Sequence, residues 1–377
     1  MKILRKSWVV MILSTFLWNG GSGTAGTSPV DENKVESNLE KRQKIEIMSF
    51  FAKPPGQAKL PSAPISVSLN NQAVEYFQKQ EYELARQTVL EALKQDSTNA
   101  YAYELLGEIY YMQQKLKDAK ENYQISYALQ PRPEVLEKIE KLIKETQVET
   151  KFSTYTEEHF IIKYHDNDKV VEGFELRELL RETYRQISQD FAHYLTYQIV
   201  VMLYEDEEFK AITGRPHWSS GLYDGKVRMP VKKGKSIDAE LRALTRHEVT
   251  HAFVAAISKQ SAPAWINEGI AVYEENKERK VDLLIFRSAI KTHTLIPVDQ
   301  LMSQSHLEAM TDTSEVALFY QESFHLVDYL AARYGMFQVK QMLQKFTNDK
   351  TSDEVIREVL QISTEKLESE WKSTFIK

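Results

Sequence analysis

The stretch "HEVTHAFVAAISKQSAPAWINEGIAVYEE", residues 247–275, decides how this chain is read. Residues four apart on a helix lie one above the other, so His247 and His251 present their imidazoles on one face at the spacing that two ligands of a single tetrahedral zinc need. Glu248 stands beside them, within reach of a water held at the same point. Leu241, Leu244 and Ala255 continue the stripe, which turns the pair inward. Pro263 breaks the chain before a second helix, and that helix can carry Glu268 back to the first. Two imidazoles and one carboxylate leave one corner of the tetrahedron to solvent, which is the arrangement of a catalytic rather than a structural site. The implied cofactor is one zinc ion. The chain has no cysteine, so any metal site must be built from His, Asp and Glu.

Upstream of this stretch the texture is mixed. "HFIIKY" (159–164) and "QIVVMLY" (198–204) alternate as strands do, with a helix expected from about Val171 to Tyr194 between them. Tyr223-Asp224-Gly225 carries a hairpin-turn signal, and Pro230 marks its second strand as an edge strand. Val227 to Val231 is therefore where an extended peptide is expected to add itself to the sheet. Ser236 or Asp238 caps the helix that runs through the two histidines to about Ile257. Val281 to Lys377 reads as mainly helical.

"HEVTH" with "WINEGIAVYEE" resembles the gluzincin metallopeptidases, in particular the peptidase-MA-like branch with an Asn-Glu-Gly third-ligand motif. "SSGLYDGKVRMPV" resembles the segment before that family's zinc helix. "FYQESFHLVDYLAARYG" (319–335) and the closing "DEVIREVLQISTEKLESEWKSTFIK" resemble its later helices. The resemblance covers residues 151–377 and implies His247, His251 and Glu268 as zinc ligands, Glu248 as general base, and a peptide or protein substrate. Tyr320 suits an oxyanion-stabilising phenol in such sites, and it also suits a plain core aromatic. One departure stands out. Relatives place an acidic residue four positions after the third ligand to orient a ligating histidine, and here that residue is Val272. Glu274 and Glu275 are substitutes in name, although two acids at this place read as a solvated helix face.

The N-terminal half has a different character. Lys2, Arg5 and Lys6 precede an apolar run of about 11 residues, shorter than the ~20 that span a bilayer, and Gly23-Thr24-Ala25 offers a cleavage site. Residues 1–25 thus read as a signal peptide and the protein as exported, to a periplasm, cell envelope or extracellular space, with membrane contact only if that segment stays uncleaved. Residues 26–65 read as a polar tether with a short helix around Val35 to Phe51. From 66 to 148 the chain repeats with a period of 34 residues, Ala85 falling on Ala119, Tyr76 on Tyr110 and Leu69 on Tyr103. The second copy, with Leu106-Gly107, Tyr123 and Pro131, resembles a tetratricopeptide repeat. The first copy departs from it at Ala73 and Ser97. Pro133 to Val148 reads as a capping helix, and such repeats imply a protein partner.

Composition bounds the alternatives. The formal charge is −6, moving to −9 without residues 1–25, which disfavours nucleic acid as a partner; the Lys232, Lys233, Lys235 cluster is too small to reverse that. No phosphate-binding glycine loop or nucleophile elbow occurs. His217 and Trp218 read as loop residues and His325 as a helix-surface residue. The expected fold class is α+β: N-terminal helical repeats, then a metallopeptidase-like domain with a small mixed sheet and a zinc-binding helix. A rival reading makes the repeats the working part of a cell-envelope scaffold with a weak or inactive zinc site. A third keeps the metal and hydrolyses esters or other amides.

Overall fold

The computed structural model describes residues 64–165, 174–213, 221–231, 237–347 and 349–375. The expected signal peptide, the tether, His217, Trp218 and the three-lysine cluster lie outside the described residues. The described chain forms two compact units that divide at residues 151 and 152. No helix among the described residues is long and apolar enough to cross a membrane.

The first unit is five helices: α1 (Pro64–Gln78), α2 (Tyr82–Gln95), α3 (Ala100–Met112), α4 (Leu116–Leu129) and α5 (Pro133–Glu149). The turn between α1 and α2 and the turn between α3 and α4 are built alike. Gln80 and Gln114 take left-handed backbone, with φ of 60° and 62°. Glu81 N–H bonds back to Tyr76 O and Lys115 N–H to Tyr110 O, both at 2.9 Å. Ala73, Ala85 and Ala119 are fully buried where the paired helices meet. Gly107 serves the same close approach, since a Cβ there would lie 2.5 Å from the Tyr123 ring. Two polar contacts join positions 34 residues apart, Tyr111 Oη to Glu145 and Lys138 Nζ to Glu104, each at 2.7 Å. The 34-residue spacing of the sequence thus recurs in two contacts between α3 and α5.

The second unit is built on a five-stranded sheet ordered β1-β2-β3-β5-β4. β1 (Phe152–Thr156) and β2 (Phe160–His165) pair antiparallel, β2 and β3 (Ile199–Tyr204) parallel, β3 and β5 (Val227–Pro230) parallel, and β4 (Leu222–Tyr223) antiparallel to β5. Parallel neighbours need a crossover. α6 (Phe174–Phe191) supplies the first and α7 (Asp206–Thr213) lies in the second. One sheet face, with Phe160, Ile162, Val201, Leu203, Val227 and Met229, enters the core beside Leu180, Ile187, Val249 and Phe253 of the helices.

The sheet corrects one expectation. β5 is not the outermost strand, because it is paired to β3 along its length and to β4 at Val227 and Arg228; only Met229 to Val231 have no strand beside them on that side among the described residues. Pro230 is tolerated because β4 has only two residues and ends before reaching it. The Val231 N–H then donates to Tyr204 O at 2.8 Å.

The remaining helices are α8 (Ala239–Ser258), α9 (Ala264–Glu278), α10 (Leu284–Thr292), α11 (Val298–Leu301), α12 (Gln304–Ala309), α13 (Thr313–Tyr334), α14 (Met336–Lys345), α15 (Ser352–Leu360) and α16 (Thr364–Lys372). Asp238 caps α8 by accepting from Leu241 N–H at 2.9 Å. α8 is buried on every side from Thr245 to Val254, so Leu241, Leu244 and Ala255 sit at its half-buried margins rather than marking an inward stripe. His325 is likewise no surface residue: it accepts from Trp371 Nε1 at 2.9 Å and packs against Phe286 and Phe375. Burial lowers its pKa.

α13 holds its neighbours through two consecutive polar side chains. Gln321 Oε1 accepts the Phe286 N–H at 2.8 Å and Glu322 Oε1 accepts the Ile296 N–H at 2.9 Å. Burial pushes the Glu322 carboxyl up to about 8, against the opposing pull of the Ile296 bond and Lys372. An unfolded glutamate releases its proton near 4.5, so between these values the folded chain keeps a proton that the unfolded chain has lost. The contribution of this group is therefore greatest below 4.5 and falls toward pH 8, by up to about 1.4 kcal/mol per pH unit. Glu322→Gln keeps the acceptor and removes the ionisation. Melting curves at about pH 5 and 8 should show a smaller fall for the variant; equal falls would rule the assignment out.

Candidate metal centre

Convergence begins with a reversal of the chain. At the end of α8, Lys259 and Gln260 take left-handed backbone with φ of 51° and 62°, and Gln260 N–H bonds back to Ala255 O at 2.8 Å. Pro263 then starts α9, which lies back along α8. Gly269 lets α9 approach α13, because a Cβ there would sit 2.5 Å from the Ser323 carbonyl oxygen.

This hairpin brings three donor groups together. Glu268 Oε2 lies 3.7 Å from His247 Nε2 and 3.6 Å from His251 Nε2. The imidazole centroids are 4.9 Å apart and their planes cross at 79°. His247, His251 and Glu268 form the one group of metal-ligand type found among the described residues, and all three are buried. A tetrahedral ion with bonds of about 2.0–2.2 Å needs donors roughly 3.3–3.5 Å apart, so the two nitrogen–oxygen spacings nearly match. His247 Nε2 is buried with no hydrogen-bond partner among the described residues, as a donor atom reserved for an ion would be.

The far sides of both rings are held. His247 Nδ1 donates to Glu275 Oε2 at 3.1 Å, and His251 Nδ1 donates to Asn267 Oδ1 at 3.0 Å. Carboxylate and amide oxygens only accept, so each ring carries its proton on Nδ1 and turns Nε2 toward Glu268. Asn267 Nδ2 reaches Glu268 Oε1 at 3.4 Å, so one amide touches two of the three groups. Tyr223 stacks beside His251, with centroids 6.3 Å apart.

Electrostatics favour a cation here. Burial disfavours a charge on His247, yet the Glu268 and Glu275 carboxylates beside its two nitrogens outweigh it and push the ring up to about 10. Three carboxylates, Glu248, Glu268 and Glu275, surround two imidazoles, and the Arg279 guanidinium stands 3.6 Å from Glu275. The donor set fits zinc: nitrogen and oxygen ligands, buried, oriented from behind.

Glu248 is fully buried, next to His247 in the chain. Gly221, the residue before β4, crosses so near that a Cβ would collide with the Glu248 carboxylate. Its φ is not in the left-handed region, so this glycine answers a need for space and not for conformation. Tyr320 is buried on α13, the helix that backs α9.

Glu274 and Glu275 are not a solvated face. Glu274 is fully buried against Arg246, and Glu275 performs the orienting contact that Val272 cannot make. Burial raises the Glu274 carboxyl, with Lys277 and Arg246 pulling the other way. No site role was assigned from the sequence to Asn267, Gly221, Tyr223 or Arg246, although the first three stand in the stretches quoted above. Only Asn267 had a signal there, its place next to Glu268.

Residues 235–377 match the family model described as the Peptidase MA superfamily. The match spans α8 to α16 with His247, Glu248, His251 and Glu268, and it supports a gluzincin-like peptidase domain over that span. The first helical unit and the sheet fall outside it. No curated protein matches the chain.

Proposed function

We propose that the chain is an exported zinc metallopeptidase whose first five helices, read as tetratricopeptide-like repeats, recruit a protein partner or substrate. The observation that carries the enzymatic part is the convergence of His247, His251 and Glu268 with both histidine Nδ1 atoms already engaged. When bound, zinc supplies Lewis acidity toward a peptide carbonyl and makes a water easier to deprotonate. His247, His251 and Glu268 would hold the ion, while Glu275 and Asn267 keep the rings turned. Glu248 accepts a proton from the attacking water as its oxygen bonds to the carbonyl carbon, then returns that proton to the departing amine as the C–N bond breaks. Tyr320 donates a hydrogen bond to the oxygen that gains charge.

Metal analysis of the purified chain, with mass spectrometry of a peptide library incubated with it, tests this reading. About one zinc per chain and chelator-sensitive cleavage is the expected result for such a three-ligand site. Folded, metal-free protein that cleaves nothing would leave the scaffold reading in its place.

Gly221→Ala is a sharper test of the base. A displaced Glu248 should lower kcat by about 100-fold, the cost of an ångström of misplacement, with zinc content unchanged. A variant with the parental kcat would show that Glu248 is not held there for catalysis.

A further inference from the structure

Arg246 immediately precedes the first histidine and is almost wholly buried, with 3% of its side chain exposed. All five of its N–H groups are used. Nε and Nη2 bond Glu274 Oε2 at 3.0 and 2.8 Å, Nη1 bonds Glu278 at 3.2 Å and also Gln186, and Nη2 reaches Asp190 at 3.4 Å. Lys277 joins Glu274 to Asp190, both at 2.7 Å. Three helices thus meet on one guanidinium: α6 through Gln186 and Asp190, α8 through Arg246, and α9 through Glu274 and Glu278.

Stability alone is a poor account of such a pair, because well-packed apolar residues commonly replace a buried ion pair without loss. Direction is a better one. The other directional contacts between α8 and α9, His247 to Glu275 and His251 to Asn267, belong to the candidate metal centre itself, and the apolar side chains that both helices give to the core make contact without direction. A guanidinium and a carboxylate engage in only a few geometries. The contacts from Arg246 to Glu274 and from His247 to Glu275 join adjacent residues of α8 to adjacent residues of α9, so they are neighbouring rungs between the same two helices. Sliding α9 by one residue, about 1.5 Å along its axis, would break both rungs and move Glu268.

We propose that the Arg246–Glu274 pair, anchored to α6 by Gln186 and Asp190, is a positioning device that sets the register of α9 on α8 and so delivers Glu268 and Glu275 to His247. This rests on the reading of the centre as a metal site.

The test uses the full chain and compares Arg246→Met, the double variant Arg246→Met/Glu274→Met, and Arg246→Lys. Melting temperature and zinc affinity, the latter by competition with a chromophoric chelator, are measured for each. The single methionine variant takes both guanidinium bonds from the buried Glu274 carboxylate, leaving it Lys277 alone, and melts lower. The double variant buries no unpaired charge and regains most of the melting temperature, yet its zinc affinity stays about 10-fold or more below the parent, the range seen when support for a ligand is lost. Lysine keeps the charge but offers one point of contact instead of a fork, and it also lowers zinc affinity. A double variant with parental zinc affinity overturns the proposal while the metal site stands. If the double variant does not fold, parental affinity in Arg246→Lys overturns it alone. A parent chain that takes up no zinc removes the metal reading itself, and the proposal with it.

Discussion

Glu248→Gln is expected to lower peptide hydrolysis by roughly 10²–10⁴-fold while leaving zinc content unchanged. The substitution preserves shape, which matters because the side chain is fully buried and Gly221 leaves no spare room above it. It removes the basic oxygen and nothing else that the reaction needs. Glu248 is not one of the three converging donors, so an amide in its place leaves the ion's site intact. The measurement is paired: zinc per chain, and the initial rate on a peptide that the parent cleaves. Retained cleavage would place the base elsewhere. Loss of zinc together with activity would mean that Glu248 helps to hold the ion, and the proposed division of labour would be wrong.

His247, His251 and Glu268 were legible in the sequence because their logic is local. A four-residue spacing is a helical face, and a proline between two helical runs is a reversal. The buried small residues of the first unit were legible for the same reason, since Ala85 and Ala119, and Ala73 and Gly107, stand 34 residues apart. What stayed hidden depends on partners far along the chain. Glu274 and Glu275 look solvated when read beside their neighbours, and only Arg246 and His247, 28 residues earlier, bury them. His325 is half-buried through Trp371, 46 residues later. The Asp-Gly turn announced a hairpin correctly. Whether its second strand ends the sheet depends on the parallel pairing of β3 with β5, which no local pattern encodes. Val272 looked like a missing support for the metal centre, yet on a helix the place seven residues beyond Glu268 returns to nearly the same face, and Glu275 stands there.

That substitution of one carboxylate position for another leads to the second large effect. Glu275→Ala is expected to weaken zinc binding by about 10–100-fold, the usual cost of removing a partner from a ligating histidine. Two contributions are lost at once: the acceptor that fixes the His247 proton on Nδ1, and a negative charge close to the ion. Glu275→Gln separates them, because its amide oxygen can still accept from Nδ1 at the 3.1 Å contact while the charge is gone. An affinity for the glutamine variant near that of the parent would assign the effect to ring orientation; an affinity near that of the alanine variant would assign it to charge. Asn267→Ala gives the matching measurement at His251, where the natural partner is already a neutral amide, so no charge is lost and only the orientation of His251 and of Glu268 suffers. Its loss should therefore be smaller than that of Glu275→Ala. Chelator competition on the three variants checks the order, and parental affinity in Glu275→Ala would show that His247 needs no help from α9 beyond Glu268.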